Sequence, residues 1–200
     1  MSNKAETIER LRNILKRAKD EMYDQNGKLN ISLHSDVSEA LCEIKDNNLT
    51  ILAKEIYALL DSPSIGVKRD AIATLGFTTR LHVPEFRDKA YEIFLNDPDD
   101  SVKSTSIRAW VSYYYESDDE KVLKKLYKIL IDENQSCFVR SAAYMGIHTT
   151  IKDLFNSRTS LDTDPLISSE TPEEFNKQIN WPWLEDVMRQ YAPEALRGDK

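Results

Sequence analysis

The chain has 200 residues, 40% hydrophobic and 30% charged, which is enough apolar content for one buried core or a short repeat array and too much for a wholly disordered chain. Its formal charge of −7 is uneven: residues 1 to 152 hold 24 acidic and 22 basic side chains (net −2), and residues 153 to 200 hold 10 and 5 (net −5). A protein that grips phosphate backbones carries a basic excess on one face, so nucleic acid is disfavoured as a partner, and without any run of about 18 apolar residues no membrane span is expected.

The N-terminal stretch MSNKAETIERLRNILKRAKDEM is charged and amphipathic and has no apolar signal core, so the cytoplasm is the expected location. Apolar residues recur at i, i+3, i+4 and i+7 along the chain while glycine is scarce, at 5 of 200, which predicts an all-α protein. A first helix is expected over Ile8 to Met22. The linker YDQNGKLNISLHSD follows, and a second helix is expected to open at Val37. After it come three segments that align with one another: VKRDAIATLG from Val67, VKSTSIRAWV from Val102 and VRSAAYMGIH from Val139. Each is preceded by an amphipathic helix and a turn beginning at an aspartate, in LAKEIYALLDSPSIG, KAYEIFLNDPDDS and LKKLYKILIDENQSCF. The offsets of 35 and 37 residues are those of a two-helix repeat. Four helix pairs over residues 7 to 152 are therefore expected.

Beyond Lys152 the repeat stops. NSRTSLDTDPLISSE reads as a polar surface loop, and Thr171-Pro172-Glu173-Glu174 then supplies an N-cap threonine, a proline in the first helical position and a glutamate three residues after the cap. Pro182 is expected to open a last helix with the apolar stripe Leu184, Val187, Met188 and Tyr191. The organisation read from this is a repeat array over 1–152 and a loop with capping helices over 153–200, in one structural unit. Packing of that cap accounts for Trp181 and Trp183; a secondary partner contact is the alternative, because tryptophan is enriched at binding hot spots.

The turn aspartate followed by Val-Lys or Val-Arg, at Asp61 with Val67-Lys68, Asp97 with Val102-Lys103 and Asp132 with Val139-Arg140, resembles the HEAT-repeat, armadillo-like family. The resemblance covers about residues 35 to 152. It implies a right-handed α-α superhelix in which the aspartates and basic residues form a ladder of ion pairs and turn hydrogen bonds, and in which the second helices line a concave face. One helix pair cannot bury its apolar side alone, so Ile72 and Leu75 should meet Ile107, Trp110 and Val111, and these Tyr144, Ile147 and His148; Gly76 marks a candidate close approach of helices. Taking the offsets through the second helices, the partner-binding candidates on that face are Arg69, Phe77, Arg80, Arg108, Tyr115, Met145 and Lys152. The face carries no acidic side chain in this register, and an acidic protein surface would fit it.

No phosphate loop, nucleotide fingerprint or nucleophile elbow is present. His34, His82 and His148 lie in different repeats without metal-ligand spacing, and acidic runs such as Asp97 to Asp100 fall where helices begin, where carboxylates act as caps. Cys42 and Cys137 sit within apolar helical patterns and are expected to be reduced, buried thiols. No catalytic residue, metal or cofactor is expected. The leading reading is a noncatalytic protein-binding solenoid of the immunity, antitoxin or adaptor kind. The alternative is a HEAT-like DNA glycosylase acting on alkylated bases, a family in which an active-site tryptophan precedes an aspartate by one helical turn. Here Trp110 is followed by Tyr114. A HEAT-like chromophore lyase is a third reading that rests on fold alone.

Overall fold

The computed structural model describes residues 4–78, 83–152 and 171–197; Arg80, His82 and the polar segment 156 to 170 lie outside the described residues. Regular structure within them is helical, with one isolated antiparallel bridge between Tyr23 and Leu29. The helices are α1 (Lys4–Asp20), α2 (Ile31–Asp46), α3 (Ala53–Ala58), α4 (Ile65–Phe77), α5 (Pro84–Asn96), α6 (Asp100–Val111), α7 (Glu120–Ile131), α8 (Cys137–Thr150), α9 (Pro172–Gln178) and α10 (Trp181–Tyr191). No helix among the described residues is long and apolar enough to cross a membrane.

A common capping device starts α2, α4, α6 and α8. The side chains of Asn30, Ser64, Asp99 and Ser136 accept from the amides of Leu33, Val67, Val102 and Val139 at 3.1, 3.4, 3.0 and 3.4 Å. Each cap satisfies an amide that the helix leaves without an internal partner. The residue whose amide is capped then turns its side chain into the core: Leu33 is 1% exposed, and Val67, Val102 and Val139 are 0% exposed. The first pair is therefore in register at Leu33, not at the expected Val37. Helix α2 opens at Ile31, six residues before the expected Val37, because Asn30 supplies the cap and Gly27, at φ 74°, closes the turn before it.

The chain divides into two compact units, Met1–Ile93 and Phe94–Lys200. In the first, α1 packs on α2 and α3, and α4 packs on α2 and α3. The first helix of the second pair is broken: α3 spans six residues between 3-10 turns at Thr50–Leu52 and Leu59–Asp61, yet Leu52, Ile56, Leu59 and Leu60 remain buried. Burial, not regular helix geometry, holds this segment. In α5, Phe86, Ala90, Ile93 and Phe94 form one buried stripe at helical spacing.

In the second unit, α8 packs on α6 and α7, and α10 packs on α7. Of the expected core residues, Ile72, Leu75, Ile107, Trp110, Val111, Tyr144 and Ile147 are buried, whereas His148 is partly exposed. A close approach falls at Gly146: a Cβ there would lie 3.0 Å from Leu126 Cδ2 and 3.1 Å from Val111 Cγ2, so a side chain at this position would press on both neighbours of α8.

Arg140 departs from the expected ladder of ion pairs. It is 3% exposed; its Nε donates to the carbonyl of Leu130 at 2.7 Å and its Nη2 to Asn176 Oδ1 at 3.0 Å, and the guanidinium lies 4.5 Å from the Phe175 ring centroid. Its hydrogen bonds thus tie the end of α7 to α9. The turn aspartates serve their own turns: Asp97 Oδ1 accepts from the amide of Asp99, and Asp132 Oδ1 from the amide of Asn134, both at 3.0 Å. The Asn134 amide, the Gln135 side chain and the more distant Arg140 charge hold the Asp132 carboxyl below its ordinary range. A depressed folded-state pKa contributes stability above the unfolded pKa and loses it as pH falls through the folded value.

Helices α9 and α10 begin at side-chain caps and bury one face. Thr171 Oγ1 accepts from the Glu174 amide at 3.3 Å, Asn180 Oδ1 from the Trp183 amide at 3.2 Å, and Phe175, Leu184, Val187 and Met188 are buried. Removing Arg140 leaves the Leu130 carbonyl and Asn176 without their donor, so Arg140→Ala should lower the unfolding free energy by about 2–3 kcal/mol. Urea titration followed by tryptophan fluorescence measures this, with the signal of Trp181 and Trp183 reporting the cap.

Candidate binding surface

On the second helices of the first unit, the outward positions of α2 and α4 enclose a groove of about 240 Å3. Leu41, Ala73 and Phe77 give it an apolar lining, and Cys42, Lys45 and Asp70 add polar groups. Spacing explains the lining: residues three, four and seven apart share one face of a helix. Phe77 is 43% exposed, and Arg69 is exposed on α4 one turn before Ala73. The face is not free of acid, as the sequence register implies, because Asp70 lies on it. Its carboxylate accepts from Ser38 Oγ at 2.6 Å, which joins α2 to α4 across the groove.

Cys42 corrects an expectation. It is exposed and Cys137 is partly exposed; on α2 the core positions belong to Leu33, Val37, Leu41 and Ile44, and Cys42, one residue on from Leu41, is rotated out of that face and lines the groove. The residue 35 positions on from Arg69, Ser104, does not share its exposure: it is 6% exposed and faces the core.

In the second unit Arg108 and Lys152 are exposed, Met145 is partly exposed and Tyr115 is 53% exposed. Tyr115 is presented by a constrained loop. Glu116 and Asp118 take φ values of 50° and 53°, a region that disfavours side chains with a Cβ. Three bonds hold them there: the Glu116 amide donates to the Thr149 carbonyl at 3.0 Å, the Asp118 amide to the Thr150 carbonyl at 3.0 Å, and the Lys152 amide to Asp118 Oδ1 at 2.9 Å. The loop thus satisfies the last carbonyls of α8, which lack helical donors. The same bonds bring the backbone after Tyr115 to the end of α8, beside Lys152.

The two cap tryptophans pack within the second unit. Trp183 stacks on His148 with ring centroids 4.1 Å apart and an interplanar angle of 17°, and meets Tyr144 edge-on at 5.9 Å. Trp181 Nε1 donates to the Asn176 carbonyl at 2.9 Å. Burial pushes the Tyr144 phenol up, against a smaller downward pull from the Asn180 amide. In the first unit, His34 Nε2 would lie 2.6 Å from a Cβ at Gly66, so this histidine packs on the first turn of α4. Trp110 is 3% exposed and lies edge-on to Tyr114, with centroids 5.5 Å apart; it offers no open ring face to a base.

A larger cavity of about 550 Å3, missed from the sequence, is lined by Ile51, Tyr57 and Val83 with Lys54 and Glu85. Ile51 in its lining is 62% exposed between the buried Leu49 and Leu52. Comparison with protein-family models, curated proteins and solved structures returned no match.

A left-handed conformation costs a residue with a Cβ about 1 kcal/mol, a cost that glycine avoids. Glu116→Gly should therefore keep or raise stability by up to about 1 kcal/mol, whereas Glu116→Val should lower it by about 1–2 kcal/mol. Chemical denaturation of the two variants measures the difference.

Proposed function

We propose that this chain is a noncatalytic protein-binding module of the HEAT-like kind, an immunity, antitoxin or adaptor protein of the cytoplasm. In this reading its helix pairs stack as a right-handed superhelix and its second helices face an acidic surface on another protein. The observation that carries the reading is the α2–α4 groove. It lies on the face that the repeat register assigns to a partner, it is lined by apolar side chains, and it has an exposed aromatic residue at its edge. Aromatic and arginine side chains are the common anchors of protein interfaces. The constrained loop that presents Tyr115 supports the same reading, since strained backbone gathers at working surfaces. The buried Trp110 gives the glycosylase alternative no support.

Affinity capture with the intact chain, beginning with the product of the neighbouring gene, supplies the partner for kinetic work. Arg69→Glu combined with Arg108→Glu should slow association about tenfold and make the remaining binding less salt-sensitive, because these charges steer the encounter. Phe77→Ala and Tyr115→Ala should instead speed dissociation about tenfold. A charge-reversed protein that is folded and binds with wild-type kinetics would remove the second helices from the interface.

A further inference from the structure

The groove on α2 and α4 has a register and a polarity. His34 on α2 packs on Gly66 of α4, and Ser38 Oγ donates to Asp70 Oδ2 at 2.6 Å. Both contacts join residues 32 positions apart, so the two helices run in the same direction and in step. The lining keeps that step: Ser38, Leu41, Cys42 and Lys45 on α2 are matched by Asp70, Ala73, Thr74 and Phe77 on α4. Each set falls at i, i+3, i+4 and i+7, one stripe of two helical turns about 10 Å long. Two such parallel ridges with a valley between them have the shape that receives a third helix. The middle of the valley is uncharged. Its charged lining residues stand at opposite ends, Asp70 level with Ser38 and the exposed Lys45 level with Phe77. Their chain neighbours Arg69 and Asp46 are not part of the lining.

We propose that this groove seats one amphipathic helix of a partner protein, antiparallel to α2 and α4, with an acidic residue at i, apolar residues at i+3 and i+4 and a basic residue at i+7. This rests on the groove being a protein-binding surface and names what fills it. The apolar pair covers Leu41, Ala73 and Phe77, and the end charges meet Lys45 and Asp70. Direction follows from the helix dipole. An antiparallel helix brings its N-terminal side to Lys45 and its C-terminal side to Asp70, so its acid and base stand where the dipole of a short helix favours them; a parallel helix would carry them reversed. An extended segment fits less well, because helices offer it no open backbone ladder to pair with. No segment of this chain has acid, two apolar residues and base at those spacings, so a second copy does not supply the occupant.

The test is fluorescence anisotropy with the intact protein and two labelled alanine-based helical peptides of about 18 residues, long enough to hold a helix. One carries glutamate at i, leucine at i+3 and i+4 and arginine at i+7; the other has the glutamate and arginine exchanged. The first should bind about fivefold more tightly than the second. Lys45→Glu with Asp70→Lys should invert that preference, a result that loss of fold cannot produce. Ala73→Arg, which fills the valley between the two end charges, should abolish binding of both peptides while circular dichroism stays that of the wild type. Equal binding of the two peptides, an unchanged preference in the folded charge-swapped protein, or no binding of either peptide up to about 1 mM overturns the proposal. The reading of the groove as a protein-binding surface fails separately, if Ala73→Arg leaves binding of the captured partner unchanged.

Discussion

Helices α2, α4, α6 and α8 each begin with a polar cap and, three residues later, an apolar side chain that reaches almost no solvent. Asn30, Ser64, Asp99 and Ser136 set the start of the helix, and Leu33, Val67, Val102 and Val139 set which face turns inward. The two effects depend on each other. A cap fixes where the helix begins, and the rotation of every later side chain follows from that start at 100° per residue. Full burial of one such side chain contributes about 1.5–3 kcal/mol, so a slip of the start by a single residue would lose that burial and rotate the whole outward face. The groove residues Cys42 and Phe77 occupy their places because Asn30 and Ser64 occupy theirs.

Much of the fold was legible because this device leaves a short signature that recurs. The three valines are spaced 35 and 37 residues apart, and Thr171 with Pro172 marks the start of the cap. The first pair was harder to place because its signature is written with other residues. Asparagine replaces serine or aspartate and leucine replaces valine, and a bridged turn holding Gly27 lengthens the connection. Cys42 was misread because it adjoins the apolar residues Leu41 and Ile44, yet only those two face the core. Arg140 could not be read from its own repeat, because Asn176 and Phe175, which complete its contacts, lie about 35 residues further along. Local pattern reports which face of a helix is buried, and distant chain decides what covers it.

The candidate surface was legible in part for the same reason. Arg69, Phe77, Arg108 and Tyr115 were placed outward by period alone, and all four are exposed. What period could not supply was the shape between helices: the groove over Ala73, the Ser38–Asp70 bond across it, and the left-handed loop that holds Tyr115.

The proposed role assigns work to the outward sides of the second helices and stability to their inward sides. Hydrogen–deuterium exchange of the whole chain, free and saturated with its captured protein partner, tests that division most directly. Added protection should appear in residues 38–45 and 70–77 of the first unit and in 108–118 of the second. Protection confined to α9 and α10, with these second-helix segments exchanging as in the free chain, would contradict the account.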